Sequence, residues 1–220
     1  MRELFVAGGA DRWGELRGLA QARAVPVTTV PDRVVAALSD TTTPQGAVAV
    51  VGVERPDLAT IAQDASLVVV LADVRDPGNA GTLVRSAAAA GADAVAFARG
   101  AVDPLHPKTV RAAAGALFSV PIVRDAGLDD ILGRLKTAGL VLAGADATSP
   151  HPIDRADLTR RMAVVLGNEA WGVTASDRGL LDESYSIPMP GPVESLNVGI
   201  AGSILLFEAV RQRRAGAPTV

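Results

Sequence analysis

The sequence contains no cysteine, only 3% aromatic residues and just two lysines, Lys108 and Lys136, in 220 residues. Without cysteine there are no disulfides, no thiolate nucleophile and no Cys-ligated zinc, which fits a reducing compartment and leads us to expect a cytoplasmic protein. No apolar run reaches the ~18 residues of a membrane span, and the opening MRELFVAGGADRWGE lacks the apolar core of a signal peptide, so no membrane partner is expected. The two histidines, His106 and His151, each precede a proline, and no Asp/Glu/His group has ligand spacing, so no metal is expected. The net charge of -3 argues against a protein that coats nucleic acid indiscriminately but leaves room for a local basic site. Nearly all positive charge is arginine, which suits bidentate phosphate contacts, although genome base composition is the plainer explanation of that bias.

What is present is 49% hydrophobic residues. With so few aromatics, the core must be built from Ala, Val and Leu, and its elements must pack closely. Residues 1 to 55 read as a small α/β unit with strands at 3–6, 26–30 and 47–51 and helices at 13–23 and 31–38. Five short elements bury too little surface to be comfortable alone, so the unit is expected to be the remainder of a larger domain. Glu54 to Asp57 break the pattern, and a linker is expected from Gly52 to Asp64. From residue 65 onward strands and helices alternate: strands at 67–73, 94–98, 120–123, 140–144, 163–166 and 185–187, with helices at 79–90, 107–117, 128–137 and 174–181 and a long last helix. LVVVLAD (Leu67 to Asp73) is the continuous apolar run of a strand buried on both faces. The rhythm predicts an α/β fold with a mostly parallel sheet and helices on both faces. The last helix, apolar on most sides, is expected to be buried.

In such sheets ligands collect beyond the carboxyl ends of strands, and three loops there are unusual. The first, DVRDPGNAGTLVRSAAAAG, places Asn79 as the expected helix N-cap and Gly81 four residues before Arg85, leaving a bare position beneath the guanidinium. A helix start carrying an arginine suits a phosphate or another anion. Taken alone it is more simply a capped helix with Arg85 in solvent. It is no dinucleotide fingerprint, because G-x-G-x-x-G is missing. The second, VVLGNEAWGV, delivers Gly167, Asn168 and Glu169 from a buried strand, and the carboxylate is expected to accept hydrogen bonds or to counter Arg85. Trp171 covers the core more simply than it stacks on a base. The third, IPMPGPVESLNVGIAGSILLFEAV, must be a shaped loop because Pro188, Pro190 and Pro192 fix φ and remove backbone donors. Ser195 and Asn197 then stand at a helix start.

NAGTLVRSA, LGNEAWG and IPMPGPVESLNVGIAGSILLFEA, in this order and after these strands, closely resemble the three motifs of the SpoU (TrmH-like) branch of the SPOUT RNA methyltransferases. The resemblance covers about Leu67 to Arg211, and it makes residues 1–55 part of an RNA substrate-binding domain. It implies transfer of a methyl group from S-adenosylmethionine to a ribose 2′-hydroxyl of RNA, a C-terminal deep trefoil knot, and a homodimer. Residue by residue it implies catalytic or substrate-positioning roles for Asn79, Arg85, Glu169, Ser195 and Asn197. Gly167, Ile187 and Leu196 would hold the methyl donor through their backbone, with Ala145 and its loop as weaker additions. Ala170 replaces a frequent glycine and Gly199 a frequent serine. By analogy ribosomal RNA, most simply 23S, is favoured over transfer RNA. A non-catalytic RNA-binding or ribosome-assembly protein and an NAD-binding α/β protein remain the competing readings.

Overall fold

The computed structural model describes residues 1–8, 11–39, 41–169 and 172–215. The chain divides into two compact units, Met1–Glu54 and Arg55–Val220. In the first, β1 (Glu3–Ala7), β2 (Val27–Val30) and β3 (Ala47–Val50) form a sheet of order β2-β1-β3, with β1 parallel to β2 and antiparallel to β3. A 3-10 turn at Asp11–Trp13 leads into α1 (Gly14–Ala22), and α2 (Asp32–Ala37) follows β2. The core is small: Leu4, Val6 and Ala20 are buried, with Trp13, Leu16 and Val27 packed against them.

The second unit opens with α3 (Leu58–Asp64), in the stretch where the sequence pattern predicts a linker. Asp57 is the reason. Its carboxylate accepts from the Ala59 and Thr60 N–H groups at 3.3 and 3.2 Å, which satisfies two of the donors a helix start leaves open. At the other end, Arg161 donates to the carbonyls of Ala62, Gln63 and Ala65. The remaining elements are β4 (Leu67–Leu71), α4 (Pro77–Ala89), β5 (Ala94–Ala98), α5 (Pro107–Ala112), β6 (Ile122–Ala126), α6 (Leu128–Thr137), β7 (Val141–Ala145), β8 (Met162–Leu166), α7 (Ala175–Arg178), β9 (Glu183–Tyr185) and α8 (Val198–Ala215). The strands make a six-stranded sheet of order β6-β5-β4-β8-β7-β9 in which every described pairing is parallel. Several expected bounds shift, among them the helix expected at 174–181, which stops at Arg178. The helix expected through Leu117 stops at Ala112, ahead of left-handed turns at Ala114 and Gly115; β6 begins later; and β9 ends before Ile187.

Alternation along the central strands builds two cores, one on each face of the sheet. Leu67, Val69 and Leu71 meet Leu83, Val84, Leu205 and Leu206, whereas Val68 and Val70 meet Leu58, Ile131 and Leu135. The small-residue core lets helices approach closely at two glycines. A Cβ on Gly81 would lie 2.5 Å from the Ala112 Cβ and 2.6 Å from the Thr109 carbonyl, so the bare position expected beneath Arg85 receives α5 instead. A Cβ on Gly202 would meet Leu83 at 2.4 Å and Leu166 at 2.7 Å, which seats α8 on α4 and β8. The burial of α8 is one-sided, contrary to its apolar composition: Gly199, Gly202, Leu205, Leu206 and Ala209 are buried, while Ile200, Ile204 and Phe207 are exposed.

Candidate active site

The strand order reverses between β4 and β8, and the carboxyl ends of β4 and β8, where such sheets bind ligands, carry the first two motif loops. Beyond β8, Gly167 lies so close to Gly172 that a Cβ there would stand 2.2 Å from its carbonyl carbon. Asn168 and Gly172 exchange both backbone hydrogen bonds at 2.8 Å, closing the loop. Ala170 and Trp171 lie outside the described residues. The closed loop presents Glu169, whose carboxylate accepts from the Asp76 N–H at 3.0 Å, the Arg75 N–H at 3.4 Å and the Asn79 side-chain amide at 3.2 Å. Partial burial would raise the Glu169 pKa, but these donors together hold it below the usual carboxylate value.

Asn79 does not cap α4. Asp76 does, accepting the Asn79 N–H at 2.9 Å, and its carboxyl is held below the ordinary value by that bond and by Lys108, whose Nζ lies 3.0 Å away. The Asn79 side chain is thereby left to bridge loops: its amide nitrogen donates to Glu169 and its Oδ1 accepts from the Asn197 amide at 2.9 Å. Asn197 in turn caps α8, accepting the Gly199 and Ile200 N–H groups. One hydrogen-bonded line, Glu169 to Asn79 to Asn197, thus ties all three motif loops together. His106 turns out to be an N-cap as well, accepting the Lys108 N–H.

Beside this line lies a cavity of about 260 Å³. Ala145, Gly167, Ile187 and Leu196 all line it, as do Glu169 and Ser195. It also contains two residues that the sequence reading did not name, Asp146 in the loop expected to help hold the donor and Arg178 on α7. The Asp146 carboxylate accepts the Thr148 N–H and hydroxyl, at 2.9 and 2.7 Å, and pairs with Arg178 at 3.2 Å. Burial pushes its pKa up, yet those partners bring it below the ordinary value. Its position directly after β7 was a usable signal; Arg178, on a separate short helix, gave none. A larger open groove of about 770 Å³ shares Arg178 and Tyr185 with the cavity but contains none of the motif residues.

Arg85 is not in this cavity. It is exposed and has no hydrogen-bond or ion-pair partner among the described residues, so Glu169 does not counter it. It stands on the outer ridge of α4 that borders α8, where neighbouring Thr82 lies against Gly199 and Ser86 bonds Ser203 at 2.7 Å. Among the described residues no cluster of His, Asp and Glu could hold a metal ion, and no helix is long and apolar enough to cross a membrane.

The parallel sheet and the three joined loops define a known class, and comparison with known proteins identifies it. Residues 66–207 match the SpoU rRNA methylase family and residues 1–56 match the substrate-binding module of RNA 2′-O ribose methyltransferases; the chain belongs to the SpoU rRNA methylase family. Among its relatives, it is 36% identical over 171 residues to the 23S rRNA (guanosine(2553)-2′-O)-methyltransferase RlmP of Bacillus subtilis, covering 78% of this chain and 67% of that protein. It is 35% identical over 204 residues to the 23S rRNA (uridine(2479)-2′-O)-methyltransferase of Streptomyces viridochromogenes, covering 90% of this chain and 71% of the other. Against the RlmB enzyme of Vibrio vulnificus the match spans only 60% of that protein's length. The structure of the SpoU methyltransferase AviRb from Streptomyces viridochromogenes in complex with AdoMet superposes with a TM-score of 0.85 at 32% identity, covering 98% of this chain and 84% of that one.

Proposed function

We propose that this protein methylates a ribose 2′-hydroxyl of ribosomal RNA, most simply 23S rRNA, using S-adenosylmethionine. The observation that carries the reading is the cavity lined by Glu169 and Ser195, with Glu169 tied through Asn79 to Asn197. The relatives named above carry the same activity in their names. S-adenosylmethionine, when bound, supplies an electrophilic methyl on a sulfonium centre. The cavity suits such a cation: apolar Ile187, Leu196 and Val198 line it together with the carboxylates of Asp146 and Glu169, both held below their ordinary pKa values and hence ionised at neutral pH. Ala145, Gly167, Ile187 and Leu196 would hold the donor. Asn79, Ser195 and Asn197 would orient the ribose, with Glu169 fixing the line.

Arg85 is assigned the target phosphate. A guanidinium is effectively always protonated, so either Arg85 holds that phosphate and polarises the hydroxyl, or the phosphate itself relays the proton to water. An Arg85→Lys variant retaining full methylation across pH would exclude any need for guanidinium geometry.

The remaining family features belong to the same proposal. Residues 1–54 serve as the RNA substrate-binding domain, and the unit from Arg55 onward, opening with α3, forms the methyltransferase domain with its C-terminal segment threaded as a trefoil knot. The protein acts as a cytoplasmic homodimer without a metal. Ile200, Ile204 and Phe207, 52%, 37% and 49% exposed, form a stripe along α8 at helical spacing, which supports α8 as the dimer contact. Arg85, on the neighbouring ridge, would then reach towards the partner's cavity. Labelled-methyl transfer to unmodified bulk RNA tests the activity; tight NAD binding with no S-adenosylmethionine binding in a calorimetric titration would overturn it.

A further inference from the structure

Both tryptophans in this aromatic-poor chain call for an account, and Trp13 is the one the structure describes. It is half-buried, and the Arg12 guanidinium carbon lies over its ring, 4.6 Å from the centroid. Arg12 is fixed from a second side, donating to the Gln45 carbonyl at 2.6 Å. Gly46, at φ +96°, brings its loop against the edge of the indole, where a Cβ would stand 3.1 Å from Trp13. The result is a guanidinium held over the indole and against the Gln45 carbonyl, at the wall of a cleft of about 470 Å³ that Asp32 and Gln45 also line. Arg12 and Asp32 line one cleft with opposite charges, yet neither forms an ion pair with a described residue.

We infer that this cleft takes a single unpaired guanine of the substrate RNA. Unstacked bases bind by lying on aromatic rings or arginine planes and by hydrogen-bonding their edges. The Trp13–Arg12 pair provides such a surface, and its guanidinium is already held by the indole and the Gln45 carbonyl, which lowers the ordering cost on binding. Asp32 selects the base. A carboxylate only accepts, and guanine alone among the four bases presents two adjacent donors, N1–H and the 2-amino group, on its Watson–Crick edge. The inference rests on the RNA-methylation reading and adds to it a base-reading site in the first unit.

The test uses the full chain and fluorescently labelled oligouridylates carrying one central guanosine, inosine or adenosine, with affinity read by polarisation. Inosine lacks the 2-amino group. Intact protein is expected to favour guanosine over inosine by about tenfold; Asp32→Asn should remove that preference and Arg12→Gln should weaken all three ligands, with unchanged thermal midpoints as the folding control. Equal affinity for guanosine and inosine, or a preference that survives Asp32→Asn, overturns the inference. Donor binding measured by calorimetry on the same variants keeps the two readings separate: failure here with intact donor binding leaves the methyltransferase assignment standing.

Discussion

Asn79 occupies the third position of α4, where the Asp76 cap already satisfies its backbone N–H. Its side chain therefore serves the site and not the helix. Asn79→Ala should lower methyl transfer by about tenfold or more, by cutting the link between Glu169 and Asn197 and leaving the Asn197 amide without its acceptor, while donor affinity measured calorimetrically changes little. Glu169 has a second signature. Its pKa is depressed in the folded protein, so its contribution to stability is fully present above its unfolded value near 4.5 and is lost as pH falls through the folded value. Glu169→Gln should flatten that acid-side loss, seen as a thermal midpoint less sensitive to pH between about 6 and about 3; a variant with the parent's acid sensitivity would show that other carboxylates dominate. At this scale the sequence singled out three groups that the fold joins, Asn79, Glu169 and Asn197, but not their bonds. The order of Asn79, Glu169 and Asn197 along the chain says nothing of which amide meets which carboxylate.

At the scale of elements, close approach decides the arrangement. Gly81→Ala would drive a methyl into the α5 backbone, which cannot yield, and should destabilise by about 3 kcal/mol. Gly202→Ala meets the side chains of Leu83 and Leu166, which can shift rotamers, and should cost less, about 1 to 2 kcal/mol by denaturant titration. The C-terminal end of α8 is fastened by polar contacts that periodicity does not reveal: Arg213 donates to the carbonyls of Leu158, Arg160 and Ser66. The long buried strands, regular α6 and the proline-rich loop before α8 were legible because period and turn chemistry are local. Helix α3 is hidden in the sequence because Asp57, a sound cap, reads with Glu54, Arg55 and Pro56 as one break in the pattern. The one-sided burial of α8 was illegible because an apolar residue reads the same whether it faces its own core or a second chain.

At the scale of the whole molecule, the exposed Ile200, Ile204 and Phe207 and the outward Arg85 belong to one account. Ile204→Glu with Phe207→Glu should convert a dimer to a monomer in light scattering and abolish methyl transfer. Mixing Arg85→Ala chains with Ser195→Ala chains should restore part of the activity that each lacks alone, because a mixed dimer can combine Arg85 of one chain with Ser195 of the other; no recovery on mixing would mean that Arg85 serves its own chain's cavity.

The most direct measurement of the central claim is a map of ribose methylation in 23S rRNA from cells with and without the protein, repeated with the Asn79→Ala variant. The account predicts one 2′-O-methylated nucleotide present with the intact protein, absent without it and depleted with the variant. Identical ribose maps, or a methyl group appearing on a base, would contradict it.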